Sequence, residues 1–459
     1  MSDTMSRLIE SCSNFLWGWP MVIALLGTHL YLTILLRFPQ RKIFKAIRLS
    51  VRRDKSATGD VSQFGALATA LAATIGTGNI VGVATAITLG GPGAVFWCWL
   101  TGVLGIATKY AEGLLAVKYR IRTPQGKMLG GPMYALERGL GLKWLAVLFC
   151  LFTVIASFGI GNLVQSNAIS LLCYETYRIP QPLTGAAVAA CVALVVIFGV
   201  KGIARVCSAF VPMMALLYFL GCTYILIMNG PYVWDALGLI VQSAFRPEAA
   251  GGGFVGGSLI MTARYGIARG LFSNESGMGS APIVAAAART RNPVRQALVS
   301  STGTFWDTVI ICAMTGLVLV SSILAYPDIT YHDGPALTKL AFEKIPYIGA
   351  PLLTFGIITF AFSTILGWCY YGEKAMEYLS GKRWTLVYRC VYITAVFFGA
   401  IVQLAVVWNL ADLTNALMAV PNLISLIGLS GVLVAETRKY LWEGRIDEDA
   451  AEDEMQPSA

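Results

Sequence analysis

The chain has 459 residues, of which 56% are hydrophobic and 13% charged, with a mean hydropathy of +0.67. Soluble domains carry about 25% charge, so a string of soluble domains is excluded and a single polytopic membrane unit is implied. The net charge of +9 does not point to nucleic acid, because the basic residues cluster in short loops between apolar runs, as membrane topology requires.

The N-terminus is polar, with no basic region ahead of the first apolar run, so no cleavable signal peptide is expected. A hydrocarbon core about 30 Å thick takes about 20 helical residues. Eleven stretches qualify, near 19–37, 61–89, 92–117, 143–170, 183–200, 206–229, 255–288, 296–320, 348–372, 386–408 and 414–436. Alternate loops are basic. One set holds Arg41, Lys42, Lys45, Arg48, Lys118, Arg120, Lys201, Arg205, Arg289, Arg291, Arg295, Lys374, Lys382, Arg383, Arg438 and Lys439; the other holds only Arg7, Arg178, Arg246, Lys339 and Lys344. Basic loops stay inside, which puts the N-terminus outside and the C-terminus in the cytoplasm of a cytoplasmic (inner) membrane protein. The stretch Tyr232–Ala244 is amphipathic and reads as a helix lying on the outer surface. The acidic run Asp447 to Glu454 reads as a disordered tail.

The second span contains AATIGTGNIVG at 72–82. At about 1.5 Å per residue its 29 residues would form a helix of about 43 Å. That is more than a bilayer needs, so the span either tilts or breaks. Gly76 and Gly78 let the backbone leave the helix at little steric cost. A break at depth is tolerated where protein or water satisfies the freed groups. The carbonyls of Ala72 to Ile75 would then be free for a cation, and the amides of Thr77, Gly78 and Asn79 for an anion. Close packing through small residues is the other reading of the same glycines.

The seventh span contains RYGIARGLFSNESGMGSAP at 264–282. Ser273-Asn274-Glu275-Ser276 is too polar for lipid, and Gly277 and Gly279 follow. This is either a second break or a loop between shorter spans. The apolar Ile283–Ala288 leads straight into a basic loop, which favours the break. The two spans are five apart and cross in opposite directions. Two halves of inverted topology, each opening on a broken helix, form a transporter architecture. The expected organisation is an N-terminal segment with a peripheral first helix (1–60), a first repeat (61–229), an external loop (230–254), a second repeat (255–436) and a cytoplasmic tail (437–459).

ATIGTGNIVG at 73–82, GPMYALERGL at 131–140, RGLFSNESGMGSAPI at 269–283 and FSTILGWCYYGEKA at 362–375 together resemble the alanine or glycine:cation symporter family. This family lies within the amino acid-polyamine-organocation superfamily, with its leucine-transporter-like fold, and the resemblance spans nearly the whole chain. It implies an all-α protein with eleven transmembrane helices, a 5+5 inverted repeat and two discontinuous helices. It implies symport of a small neutral amino acid with Na+ as coupling ion and no organic cofactor. By position it assigns Na+ to the carbonyls of Ala72, Ile75 and Phe360 and the hydroxyls of Ser363 and Thr364. Positions 360, 363 and 364 share one helix face, and five neutral oxygens suit a hard monovalent cation. Hydroxyls there also bond their own helix carbonyls.

For the substrate, the resemblance implies that the carboxylate meets Thr77 and Gly78, with Asn79 beside them. Asn274 and freed carbonyls of the seventh span would accept from the ammonium group. The resemblance turns Gln165 toward the site, whereas its position alone is also that of a helix end. Trp368 would wall a pocket for small side chains or serve as packing. Gly76, Glu275 and Gly277 are expected to shape the breaks, with Glu275 accepting backbone amides. Lys109 and Glu112, three apart on one face, read as a structural pair near the cytoplasmic gate. Proton-driven relatives place a basic side chain where the ion sits; the sixth span, 206–229, has no Lys or Arg, which favours Na+. A proton-coupled carrier of the same fold for another small solute is the alternative.

Other classes fit less well. The ten Cys are scattered and form no CxxC, reading as small buried hydrophobes. His29 and His332 are too far apart for a zinc site. An intramembrane enzyme needs a nucleophile with a base, and the apolar runs hold no paired catalytic carboxylates. Nothing resembles a channel filter. The partners expected are the amino acid and the lipid bilayer, not nucleic acid; a monomer suffices for transport, and the oligomeric state is unknown from sequence.

Overall fold

The computed structural model describes residues 11–13, 15–52, 58–246, 258–329, 333–402 and 405–450, the side chains of 405–409 excepted. It is helical apart from a two-stranded hairpin, Ile121–Arg122 with Met128–Leu129. Helix occupies each of the eleven expected stretches. Among the described residues, six helices are long and apolar enough to cross a bilayer alone, and eight if each bent pair counts as one span. The other three expected spans, the fifth, seventh and tenth, are short or interrupted.

In chain order the helices are α1 (Trp19–Leu35), α2 (Ile43–Val51), α3 (Gln63–Thr74), α4 (Val83–Gly90), α5 (Ala94–Lys118), α6 (Lys143–Phe158), α7 (Val164–Tyr177), α8 (Gln181–Val196), α9 (Gly199–Met228), α10 (Gly230–Phe245), α11 (Leu259–Asn274), α12 (Pro282–Ala285), α13 (Pro293–Thr304), α14 (Ala313–Ala325), α15 (Gly334–Glu343), α16 (Gly349–Ser380), α17 (Thr385–Gly399), α18 (Ala405–Gly428) and α19 (Ser430–Thr437). The amphipathic stretch is helical, as α10. Serine and asparagine set three of the starts. Ser62 Oγ accepts from Gly65 N (2.9 Å), Ser258 Oγ from Met261 N (3.3 Å) and Asn292 Oδ1 from Arg295 N (2.9 Å). Each satisfies an amide that the first turn leaves free.

Wide, π-helical turns interrupt three spans at mid-length: Gly78–Gly82 before α4, Gly159–Leu163 between α6 and α7, and Phe305–Cys312 between α13 and α14. Such turns are frequent at functional sites. α5 and α16 bury 83% of their most apolar window, whereas α9 buries 28%. α5 and α16 therefore form the centre of the bundle, and α9 lies at its lipid-facing rim.

Two boundaries differ from expectation. The tenth span ends at Gly399 and the eleventh begins by Ala405, well before 414, because Ala400–Trp408 is apolar throughout apart from Gln403 and hydropathy marks no turn there. The acidic tail is not a free solvated end up to Ala450. Asp447 pairs with Arg295 (2.7 Å), which is fully buried, and with Arg52 (3.2 Å). Asn292 Nδ2 donates to the carbonyls of Ile446 and Glu448, and Ala450 N to Arg291 O. Charge pairing with the basic loop outweighs the local polarity of the tail. Residues 451–459 lie outside the described residues.

The same basic face ties the two broken spans together. Val61 and Ala288 form a parallel bridge, with Asp60 N donating to Ala287 O and Arg289 N to Val61 O, each at 2.8 Å. Arg120, buried, caps the carbonyls of Ala286 and Ala288 at 3.2 and 3.0 Å.

Candidate functional site

The second span breaks where the glycines stand. α3 ends at Thr74, Ile75 is extended (φ −74°, ψ 92°), and the chain re-enters helix at Thr77, bent by 55°. In an unbroken helix Gly76 N would donate to Ala72 O. Instead it donates to Asn79 Oδ1 at 2.9 Å, and the carbonyls of Ala72 and Ile75 are released. Buried carbonyls need partners, and α16 supplies them. Ser363 Oγ donates to Ala72 O (3.2 Å) and Thr364 Oγ1 to Ile75 O (3.4 Å), while both hydroxyls also reach Phe360 O, at 2.9 and 3.0 Å. Ala72, Ile75, Phe360, Ser363 and Thr364 thus converge as three carbonyl and two hydroxyl oxygens, all buried. The approach depends on Gly367, whose added Cβ would lie 2.6 Å from Ala73 Cβ, and on Gly76, whose added Cβ would lie 2.7 Å from Thr364 Oγ1.

Asn79 does not face an open site. Its Oδ1 caps Gly76, and its Nδ2 donates to Asp307 Oδ1 (2.7 Å) and Asp307 O (3.2 Å). The side chain is used up in bracing the break, while the backbone amide of Asn79 donates to Gly76 O at 3.2 Å. Thr77 and Gln165 do meet: Thr77 Oγ1 donates to Gln165 Oε1 at 3.3 Å, and Gln165 Nε2 to Ile160 O at 3.1 Å in a wide turn. Gln165 is buried beside the break, in the first turn of α7 after the wide turn Gly159–Leu163. Gly78 is half-buried and faces the Phe272 ring and Ser273 of the seventh span.

The seventh span unwinds at Glu275, which is left-handed (φ 52°), followed by Gly277 (φ 89°) and Gly279 (φ 82°). L side chains rarely adopt that region, and an added Cβ at Gly277 would also strike Leu25. The unwound amides are braced by a carboxylate, but it is Glu112 of α5, not Glu275. Glu112 Oε1 accepts Gly277 N and Gly279 N, each at 3.0 Å, and Asn422 Nδ2 at 2.7 Å. Lys109 Nζ lies 3.8 Å from Glu112 and donates to Glu275 O at 3.1 Å. The Lys109–Glu112 pair therefore belongs to the helix break. Glu275 itself accepts from Ser280 Oγ and from Trp368 Nε1 (3.2 Å). The residue spacing gave no sign of this exchange of roles, because the acceptor is set by the crossing of α5 over the break.

Asn274 lies fully buried at the second break. Its Oδ1 accepts Ser276 N at 2.9 Å, which leaves its buried Nδ2 unpartnered. That Nδ2 is a donor suited to a carboxylate, and Oδ1 keeps a second lone pair. Trp368 is fully buried, edge-on to Tyr371 at 5.7 Å, and packed where a Cβ on Gly161 would fall on it. It spans from the wide turn before α7 to the second break. Asp307 and Asn422 were missed by sequence reading; a carboxylate in an apolar run was the available signal for Asp307.

The sequence matches the family model described as the sodium:alanine symporter family over residues 2–454. It is 51% identical over 449 residues to an uncharacterized transporter of Haemophilus influenzae, covering 97% of this chain and 98% of that one. It is 47% identical over 441 residues to the sodium/alanine symporter AgcS of Methanococcus maripaludis, covering 94% and 96%. Among solved structures, MhsT in complex with L-phenylalanine superposes with a TM-score of 0.54 at 15% identity, over 82% of this chain and 98% of that one. The architecture is accordingly the leucine-transporter-like one, and this chain, a multi-pass membrane protein, belongs to the sodium:alanine symporter family.

Proposed function

We propose that the protein carries alanine or glycine with Na+ across the cytoplasmic membrane by alternating access. The observation that carries this reading is the convergence of the Ala72, Ile75, Phe360, Ser363 and Thr364 oxygens at a helix break. The donor set fits Na+: hard, neutral oxygens, with hydroxyl protons that rotate away once a cation replaces their bonds. The amino-acid carboxylate would meet the amides of Thr77 and Gly78 at the start of the second half-helix, with Gln165 and the free Nδ2 of Asn274 alongside. The carbonyls that end α11 would take the ammonium group, and Trp368 would limit the side chain to hydrogen or methyl. Residues 61–229 and 255–436 act as the two inverted halves. The basic face lies in the cytoplasm and the N-terminus outside. Na+ stabilises the outward-facing form and completes the amino-acid site; the broken spans then rock against the rest.

The test is uptake of labelled alanine into proteoliposomes under an imposed Na+ gradient, with K+, Li+ or a pH gradient substituted in turn and a competition panel of amino acids. Uptake driven by Na+ and competed by small neutral amino acids is expected. Uptake indifferent to Na+ removes the ion assignment.

A further inference from the structure

Asp307 is fully buried within the wide turn Phe305–Cys312. Its carboxylate meets neutral donors only. Asn79 Nδ2 reaches Oδ1 at 2.7 Å, and Ser273 Oγ and Thr308 Oγ1 reach Oδ2 at 3.0 and 2.7 Å. Among the described residues no cation pairs with it. A buried carboxylate with no counter-cation is strongly disfavoured. The neutral acid needs no rearrangement here, because a protonated Oδ2 donates to Ser273 or Thr308, whose hydroxyls turn from donor to acceptor.

The surroundings join both breaks. Ser273 is in the last turn before the second, and Asn79 follows the first. Through Asn79 a relay continues: Asn79 Oδ1 accepts Gly76 N–H at 2.9 Å, and that N–H belongs to the same peptide group as the Ile75 carbonyl. Ile75 O is one of the five converging oxygens. Ionising Asp307 polarises the Asn79 amide and then the 75–76 peptide, making Ile75 O a stronger cation ligand. The other titratable groups nearby are Lys109, Glu112 and Cys98 on α5, Glu275 in the unwound stretch and Cys312 on the same helix. Lys109 is already held by Glu112 and Glu275 O. On α11, Arg264 and Arg269 lie over the rings of Tyr265 and Phe272.

We propose that Asp307 is a proton-binding site that exchanges its proton for the coupling cation through the Asn79 relay. When the cation loads, the O–H bond breaks, its electron pair stays on the carboxylate and the proton leaves to water. Unloading reverses the step. This inference rests on the five-oxygen cluster being the cation site. The test is calorimetric titration of Na+ into the purified full-length protein, in buffers of different ionisation enthalpy between pH 5 and 9. The wild type releases up to one proton per Na+ bound, and its apparent Na+ affinity rises with pH by up to about tenfold per unit. Asp307→Asn abolishes the release and flattens the pH profile of the binding it retains; Asp307→Glu restores the release. Wild-type Na+ binding that is independent of pH and releases no proton overturns the proposal, and does so even if no variant folds. If Thr364→Ala still weakens Na+ binding in that case, the cation site stands without Asp307. Absence of Na+ binding removes both.

Discussion

Glu112 accepts the amide of Gly277, 165 positions along the chain, at 3.0 Å, and through the same oxygen the amide of Gly279. One carboxylate on a central helix thus holds open the unwound stretch of another. Glu112→Ala leaves two buried amides, Asn422 and Lys109 without it. Losing one member of a buried charged network costs about 3–5 kcal/mol. The variant is expected to unfold earlier on heating in detergent and to lose transport, and Glu112→Gln, which keeps one acceptor, to lose less. Equal melting of wild type and Glu112→Ala would remove the bracing role.

Thr364→Ala deletes one of the five converging oxygens. A hydrogen-bonding group facing a charge contributes about 1.5–3 kcal/mol, so half-activation by Na+ should move to concentrations higher by about tenfold or more. Alanine recognition at saturating Na+ should move less. Uptake against Na+ concentration reads both, and an unchanged Na+ response excludes Thr364 as a ligand.

At Gly78 an added Cβ meets the Phe272 ring at 3.5 Å, an ordinary contact. Gly78→Ala should keep transport, whereas the further methyls of Gly78→Val should crowd the half-helix start and abolish it with membrane insertion intact. Surface labelling and uptake separate the two effects.

Trp368→Ala should broaden the substrate range in the competition panel, because the ring fills the space between Gly161 and the second break. Removing so large a buried side chain also costs about 3–5 kcal/mol. Trp368→Phe, which keeps an aromatic ring but loses the bond to Glu275 and part of the indole volume, should broaden the range less. A panel unaltered in Trp368→Ala would make the ring packing alone.

The break at Ile75–Gly76 was legible because it is local: glycines and hydroxyls stand where a lipid-facing helix would carry leucine. The oxygen cluster was legible only through the family resemblance, which named Ala72, Ile75, Phe360, Ser363 and Thr364 by position; spacing alone places Phe360, Ser363 and Thr364 on one helix face and no more. The duties of Asn79, Asn274 and Glu275 were not. Each is a polar residue at the correct depth, and nothing in its neighbours along the chain says whether its side chain meets a ligand or the protein itself.

By itself the amino-acid order determined which stretches are helical, the two interruptions and the family, since hydropathy, glycine and helix period act over a few consecutive residues. Only the tertiary structure decided which buried polar group satisfies which. Glu112 took the amides expected of Glu275, and Asp307 took the side-chain amide of Asn79. A hydrogen bond at depth has no water as competitor, so its partner is whichever group a crossing helix brings within about 3 Å, and that crossing is a property of the packed bundle.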